Sequence, residues 1–174
     1  MPNAQDVGVW VLCARLMPRG WWCMSEEKHR FEARRWLEQA SEDLQAVRVL
    51  NDAGRFAQAC FYCQQAAEKA LKGLGWLRGL DLWGPSLLQL RDHLRPHGFA
   101  VNCLDEADLA ALDRFYIPTR YPNSVPDIIP QRAFVAADAA AGLAAAERIV
   151  RFAAGFLSAD PRSNTPDVKD GGLP

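Results

Sequence analysis

Apolar residues recur along this chain at alternating steps of four and three. The first run is Ala33, Leu37, Ala40, Leu44 and Val47, widened by Trp36 and Leu50, with charges on the remaining face. That spacing keeps one side of an α-helix apolar and predicts a long amphipathic helix from Glu26. It should stop at Asn51-Asp-Ala-Gly54, where a glycine can take the left-handed conformation that closes a helix. A second stripe follows at once: Phe56, Cys60, Cys63, Ala67, Ala70, Leu74 and Leu77. Its small side chains let the two helices approach closely as an antiparallel hairpin, while Gly73 and Gly75 weaken the last turns.

Gly79 to Pro85 reads as a connection, and Ser86 to Leu94 as a short helix ended by Pro96 and Gly98. Asp105 to Tyr116 reads as a further helix with Asp105 as its N-cap. Pro118, Pro122, Pro126 and Pro130 forbid a regular helix between Ile117 and Pro130, and no alternation there predicts a strand. A last long helix is predicted over Gln131 to Leu157, with eleven alanines among residues 133–157 and with Phe134, Ala141, Ala145, Ile149, Phe152 and Phe156 toward a core. The expected architecture is all-α: an up-and-down bundle of four main helices plus a short fifth, spanning residues 25–157.

Residues 1–24 differ from the rest. Arg15 to Cys23, with Pro18, Gly20, Trp21 and Trp22, has neither a helical nor a strand period, and Met24 precedes a good helix start at Ser25-Glu-Glu-Lys. Two readings stay open: translation beginning at Met24, or an apolar arm that docks on a partner. The stretch 158–174, rich in proline, glycine and charge, is expected to be disordered. The apolar run Val7 to Ala14 is too short to span a bilayer and lacks the flanks of a signal peptide. The 174 residues carry 20 lysines and arginines against 21 acids, so no global basic field draws the chain onto nucleic acid and any polyanion site must be local. Five unevenly spaced cysteines suit reduced thiols, so a cytoplasmic location is expected.

The familiar chemical signatures are few. Cys60 and Cys63 form a Cys-x-x-Cys, but mid-helix on the apolar stripe, where core packing explains them better than redox or zinc chemistry. His93 and His97 share a four-residue spacing that Pro96 interrupts, and they read as surface histidines. No Gly-rich phosphate loop, Gly-x-Ser-x-Gly or His-Glu-x-x-His occurs. One cluster stands apart, Arg114-Phe-Tyr-Ile-Pro-Thr-Arg-Tyr-Pro122, at the junction of a helix and a proline-stiffened loop. Guanidinium groups there can contact phosphate, and the tyrosine rings can stack on a base. The competing reading has Phe115, Tyr116 and Tyr121 packing the loop onto the bundle while Arg114 and Arg120 pair with acids of the first helix.

Three segments together, Arg35-Trp-Leu-Glu-Gln-Ala-Ser-Glu-Asp-Leu44, Tyr62-Cys-Gln-Gln-Ala-Ala-Glu-Lys-Ala-Leu-Lys72 and Tyr116-Ile-Pro-Thr-Arg-Tyr-Pro122, resemble a HEPN domain of the small stand-alone prokaryotic type. The resemblance implies a helical bundle that usually forms a homodimer and is proposed to bind nucleotides. It also implies a frequent partner, a minimal nucleotidyltransferase, sometimes in a toxin–antitoxin pair. Many relatives are metal-independent ribonucleases with an Arg-x4-6-His motif, whose histidine handles the ribose proton and whose arginine steadies the phosphate. Here no histidine follows Arg120 from Tyr121 through Ile129, and Arg91 with His97 meets the spacing only across the Pro96 break. Gly84-Pro-Ser-Leu87 carries proline where the family often has histidine. The expectation is a non-catalytic module, without metal or cofactor, that binds a nucleotide or RNA end. Arg120 and Tyr121 would be central, Arg114 and Tyr116 beside them, and Lys69, Lys72 and Gln65 would supply further phosphate or ribose contacts, although Lys72 also suits a helix-surface pair with Glu68. The alternatives are a metal-independent ribonuclease and a dimeric protein-interaction scaffold.

Overall fold

The computed structural model describes residues 19–159. Six helices carry the fold: α1 (Arg19–Asp52), α2 (Phe56–Trp76), α3 (Leu87–Leu94), α4 (Glu106–Asp113), α5 (Pro130–Ala133) and α6 (Ala136–Ala159). No strand occurs among the described residues, and single 3-10 turns sit at Arg95–His97, Val101–Cys103 and Pro122–Ser124. The all-α bundle expected from the stripes is the architecture found.

The hairpin of α1 and α2 closes over three residues, with Gly54 at φ 67° and its N–H donating to the Asn51 carbonyl at 2.9 Å. Both predicted stripes turn inward. Ala33, Ala40, Val47, Cys60, Cys63, Ala67, Ala70 and Leu74 are wholly buried, and α2 lies at the centre between α1 and α6. Small residues decide how close these helices come. A Cβ on Gly73 would stand 3.3 Å from the Ala33 carbonyl and from Leu37 and Trp36 of α1, so the glycine that lowers helix propensity is what admits the crossing. Leu87, Leu90, Leu94, Leu109 and Leu112 of α3 and α4 complete the same core.

The predicted boundaries shift in four places. Helix α1 begins at Arg19, not at Ser25, so part of the stretch that shows no period is helical. Once a helix is nucleated each added residue needs only one further hydrogen bond, so it can run on through a stretch with no apolar period. The predicted last helix is two helices. Phe134 is extended at φ −107° and ψ 140°, and the Asp138 carboxylate accepts the Val135 N–H at 2.9 Å to restart the chain as α6. The break turns the Phe134 ring edge-on to Phe115, 5.8 Å between centroids. It also sets the phase of α6, which buries Ala139, Gly142, Ala146 and Ile149 and leaves Ala141 exposed, against expectation. Helix α6 continues to Ala159, into the stretch expected to be disordered. Finally, α4 is as short as α3, since residues 114–120 continue as turns. The other expectations for the two ends of the chain fall on residues 1–18 and 160–174 and lie outside the described residues. No helix among the described residues is long and apolar enough to cross a membrane.

Candidate functional site

The chain leaves α4 at Asp113 and folds back over the outer side of α2. Asp113 is fixed by three donors at the start of α3: the Leu87 N–H at 2.7 Å, the Ser86 hydroxyl at 2.9 Å and the Leu88 N–H at 3.4 Å. Ser86 in turn accepts the Gln89 N–H, so one carboxylate both caps α3 and anchors the start of the loop. Two residues on, Phe115 packs into the bundle against Phe134 and over Gly142, where a Cβ would lie 2.9 Å from its ring. Buried Thr119 then donates its hydroxyl to the Phe115 carbonyl at 2.5 Å and ties the turn to that anchor.

Arg120 follows, and three rings surround its guanidinium. The carbon centre lies 4.3 Å from the Tyr116 ring centroid, 4.9 Å from Phe61 and 5.1 Å from Tyr121. Nε donates to the Tyr116 carbonyl at 2.8 Å, which fixes the plane of the group. Among the described residues no carboxylate pairs with Arg120 and neither terminal nitrogen has a hydrogen-bond acceptor. Of the three rings in the loop, Phe115 does pack on the bundle, whereas the rings of Tyr116 and Tyr121 lie against Arg120, and Arg120 does not pair with acids of α1. Tyr121 is 48% exposed, a free aromatic face beside a positive charge with unspent donors.

The expected site residues divide in two. Arg120, Tyr121 and Tyr116 come together, whereas Arg114 is exposed and outside the cage. Lys69 donates to the buried Asp43 at 2.5 Å and Lys72 to Glu68 at 2.8 Å, the helix pair that the spacing allowed. Gln65 donates to Gln64 at 2.7 Å and to Glu68 at 3.1 Å. These three residues form a polar seam along α2 whose donors already have acceptors. Phe61 was missed by the sequence reading: it lies one residue off the buried stripe, and the aromatic pair Phe61-Tyr62 outside the stripe was the available signal. Cys60 and Cys63 are in the core, as their position on the stripe implies. Burial pushes the Cys60 thiol up to about 12 and raises Cys63 further, so neither offers a thiolate.

The HEPN domain family model matches residues 33–157, which covers both stripes, the polar seam and the Arg120 loop. This chain belongs to the HEPN domain family. It is similar to the crystal structure of TT1696 from Thermus thermophilus at 38% identity and a TM-score of 0.67, over 71% of this chain and 97% of that one. The archaeal HEPN homologue ST0689 aligns at 30% identity and a TM-score of 0.58, over 72% of this chain and 98% of its own. The HEPN domain protein tm0613 from Thermotoga maritima aligns at 25% identity and a TM-score of 0.56, over 72% and 98%. No curated protein matches the chain.

Arg91 and His97, which meet the Arg-x4-6-His spacing, stand in different surroundings. Arg91 is 8% exposed, pairs with its neighbour Asp92 on α3 and joins α3 to α4 through Glu106, each at 3.1 Å. His97 lies exposed in the turn past Pro96. Pro85, where the family often has histidine, gives its carbonyl to the buried Gln64 side chain at 2.9 Å.

Proposed function

We propose that this HEPN domain is a non-catalytic binding module that takes the phosphate of a nucleotide or RNA end on Arg120, with the exposed Tyr121 ring under the adjoining base or sugar. The observation that carries the reading is the caged guanidinium. Its orientation is fixed by Nε and three rings, while its two terminal nitrogens have no acceptor among the described residues. A planar fork held in that way presents two parallel donors to a phosphate with little left to order. Against cleavage stands the chemistry of the loop, which has no histidine from Tyr121 through Ile129 to move a ribose proton.

The test is calorimetric titration of the full chain with nucleoside triphosphates and a short RNA, beside an RNA cleavage assay in EDTA. Saturable binding without cleavage is expected. It should weaken at least tenfold in Arg120→Ala and less in Arg120→Lys, which keeps charge but not the fork. Silence in every titration sinks the reading.

A second reading rests on the apolar surface beside the site. Ile117, Ile129 and Val135 are 44%, 55% and 54% exposed on the same stretch as Tyr121. A second copy of the chain, or a minimal nucleotidyltransferase of a toxin–antitoxin pair, would cover them in a scaffold role. Light scattering of the purified chain, and co-purification with such an enzyme, distinguish this from nucleotide binding.

A further inference from the structure

Two exposed tyrosine rings connect to Arg120 through ring contacts, one from the loop and one from α2. Tyr121 is the first, with its centroid 5.1 Å from the guanidinium carbon. Tyr62 is the second and is reached through Phe61. The Phe61 ring lies 4.9 Å from the guanidinium carbon, and the Tyr62 ring meets Phe61 edge-on with 5.7 Å between centroids. Tyr62 is therefore no further from the charge than those two distances laid end to end. Its side chain stands off the buried stripe of α2, beside the buried Cys63, and is 36% exposed. Neither tyrosine hydroxyl has a hydrogen-bond partner among the described residues. The charge that the rings flank is single: Lys69 and Lys72, further along α2, are paired with Asp43 and Glu68, and Arg120 is the one guanidinium inside the ring cluster.

We infer that Tyr62 is a second stacking surface of this site, so that the phosphate held by Arg120 is one that joins two nucleosides, with one base on Tyr121 and the next on Tyr62. The inference rests on the Arg120 reading and narrows its ligand from any nucleotide to a single-stranded oligonucleotide. A phosphodiester carries one negative charge, which one guanidinium balances, whereas a terminal phosphate carries more than one at neutral pH. Exposed aromatic rings beside a backbone-binding charge accept successive bases whatever their identity, because every base has a π-face. A lone nucleotide has a base for one ring only and leaves the other in water. A strand has a base for each.

The experiment titrates the full chain with AMP and with ApA, the adenosine dinucleotide that has a single phosphodiester and no terminal phosphate. It uses wild type, Tyr62→Ala, Tyr62→Phe and Arg120→Ala, with thermal melts to check that each variant keeps the fold. ApA should bind at least about fivefold more tightly than AMP despite its smaller charge. Tyr62→Ala should bring the ratio of the two affinities to about one, and Tyr62→Phe, which keeps the ring, should restore it. Displacement of the Phe61 wall would weaken both ligands alike and leave the ratio where it stood, so the ratio reads the contact of Tyr62 with the second base. Arg120→Ala should weaken both ligands. The deoxy form d(ApA), titrated in parallel, tells DNA from RNA as the source of the step, and the inference holds with either. AMP binding as tightly as ApA, or a ratio indifferent to Tyr62→Ala, overturns the two-nucleoside site while leaving phosphate binding at Arg120 intact. Absence of binding by every ligand overturns both.

Discussion

Replacing Asp113 with alanine removes the contact that joins the start of α3 to the end of α4. The carboxylate accepts from the Leu87 N–H at 2.7 Å and the Ser86 hydroxyl at 2.9 Å, with a longer contact to the Leu88 N–H at 3.4 Å. A hydrogen bond to a charged acceptor contributes about 1.5–3 kcal/mol when buried, and loss of an N-cap costs about 1 kcal/mol. Asp113 is half-buried, so water can reach part of what the alanine leaves open, and the lower values apply. The expected destabilisation is about 2–3 kcal/mol. At about 2–4 °C per kcal/mol for a chain of this size, Tm should fall by about 5–10 °C. Asp113→Asn retains one acceptor oxygen and should lose about half as much. In a double-mutant cycle with Ser86→Ala, the pair should show a coupling of about 0.5–1 kcal/mol, because the hydroxyl donates directly to the carboxylate. Thermal denaturation followed by circular dichroism measures all five proteins. A fall of less than about 2 °C in Asp113→Ala, or additive single mutants, would refute the claim that this carboxylate holds the two short helices together.

Gly142→Val should destabilise the fold by about 1–3 kcal/mol, since a Cβ alone would lie 2.9 Å from the Phe115 ring. It should also weaken nucleotide binding through the displaced loop, and an unchanged melt would show that Phe115 can give way. The buried thiols predict a pH dependence. Cys60 is pushed up to about 12 by burial and Cys63 is raised in the same direction, so the neutral thiols favour the folded state. That contribution is complete below the unfolded thiol range near 9 and is lost as pH rises from there toward 12. Tm should therefore decline above pH 9, less steeply in a Cys60→Ala, Cys63→Ala double variant, and equal slopes would contradict the assignment. In native protein at neutral pH a thiol reagent should modify Cys103, which is exposed, and reach Cys60 and Cys63 only on unfolding; peptide mapping by mass spectrometry with and without denaturant reads the three positions separately from Cys13 and Cys23.

The amino-acid pattern alone determined that the chain is helical, where the two long stripes lie and which residues they bury. Ala33, Leu37, Ala40, Cys60, Cys63 and Leu74 enter the core because helical periodicity leaves them only one side on which to meet a partner. Breaks signalled by backbone chemistry were equally legible: Gly54 and Gly98 are left-handed, and Asp105 caps α4 by accepting the Ala107 N–H at 2.9 Å. The sequence also marked the Arg114–Pro122 cluster, but not how it is built. Phe61 and Arg120 are 59 positions apart, and their contact exists only because the loop after α4 returns to α2. The same holds for Asp113, an ordinary helix residue in the linear chain whose role comes from donors 25 to 27 residues away. The split between α5 and α6 could not be read from alanine content, because propensity favours one continuous helix and the ring contact of Phe134 with Phe115 offsets that preference. Local periodicity reports what each segment would bury. Which donors remain unpaired is decided by where the segments finally meet, since every hydrogen bond made across the fold removes a group from the surface that a ligand can use.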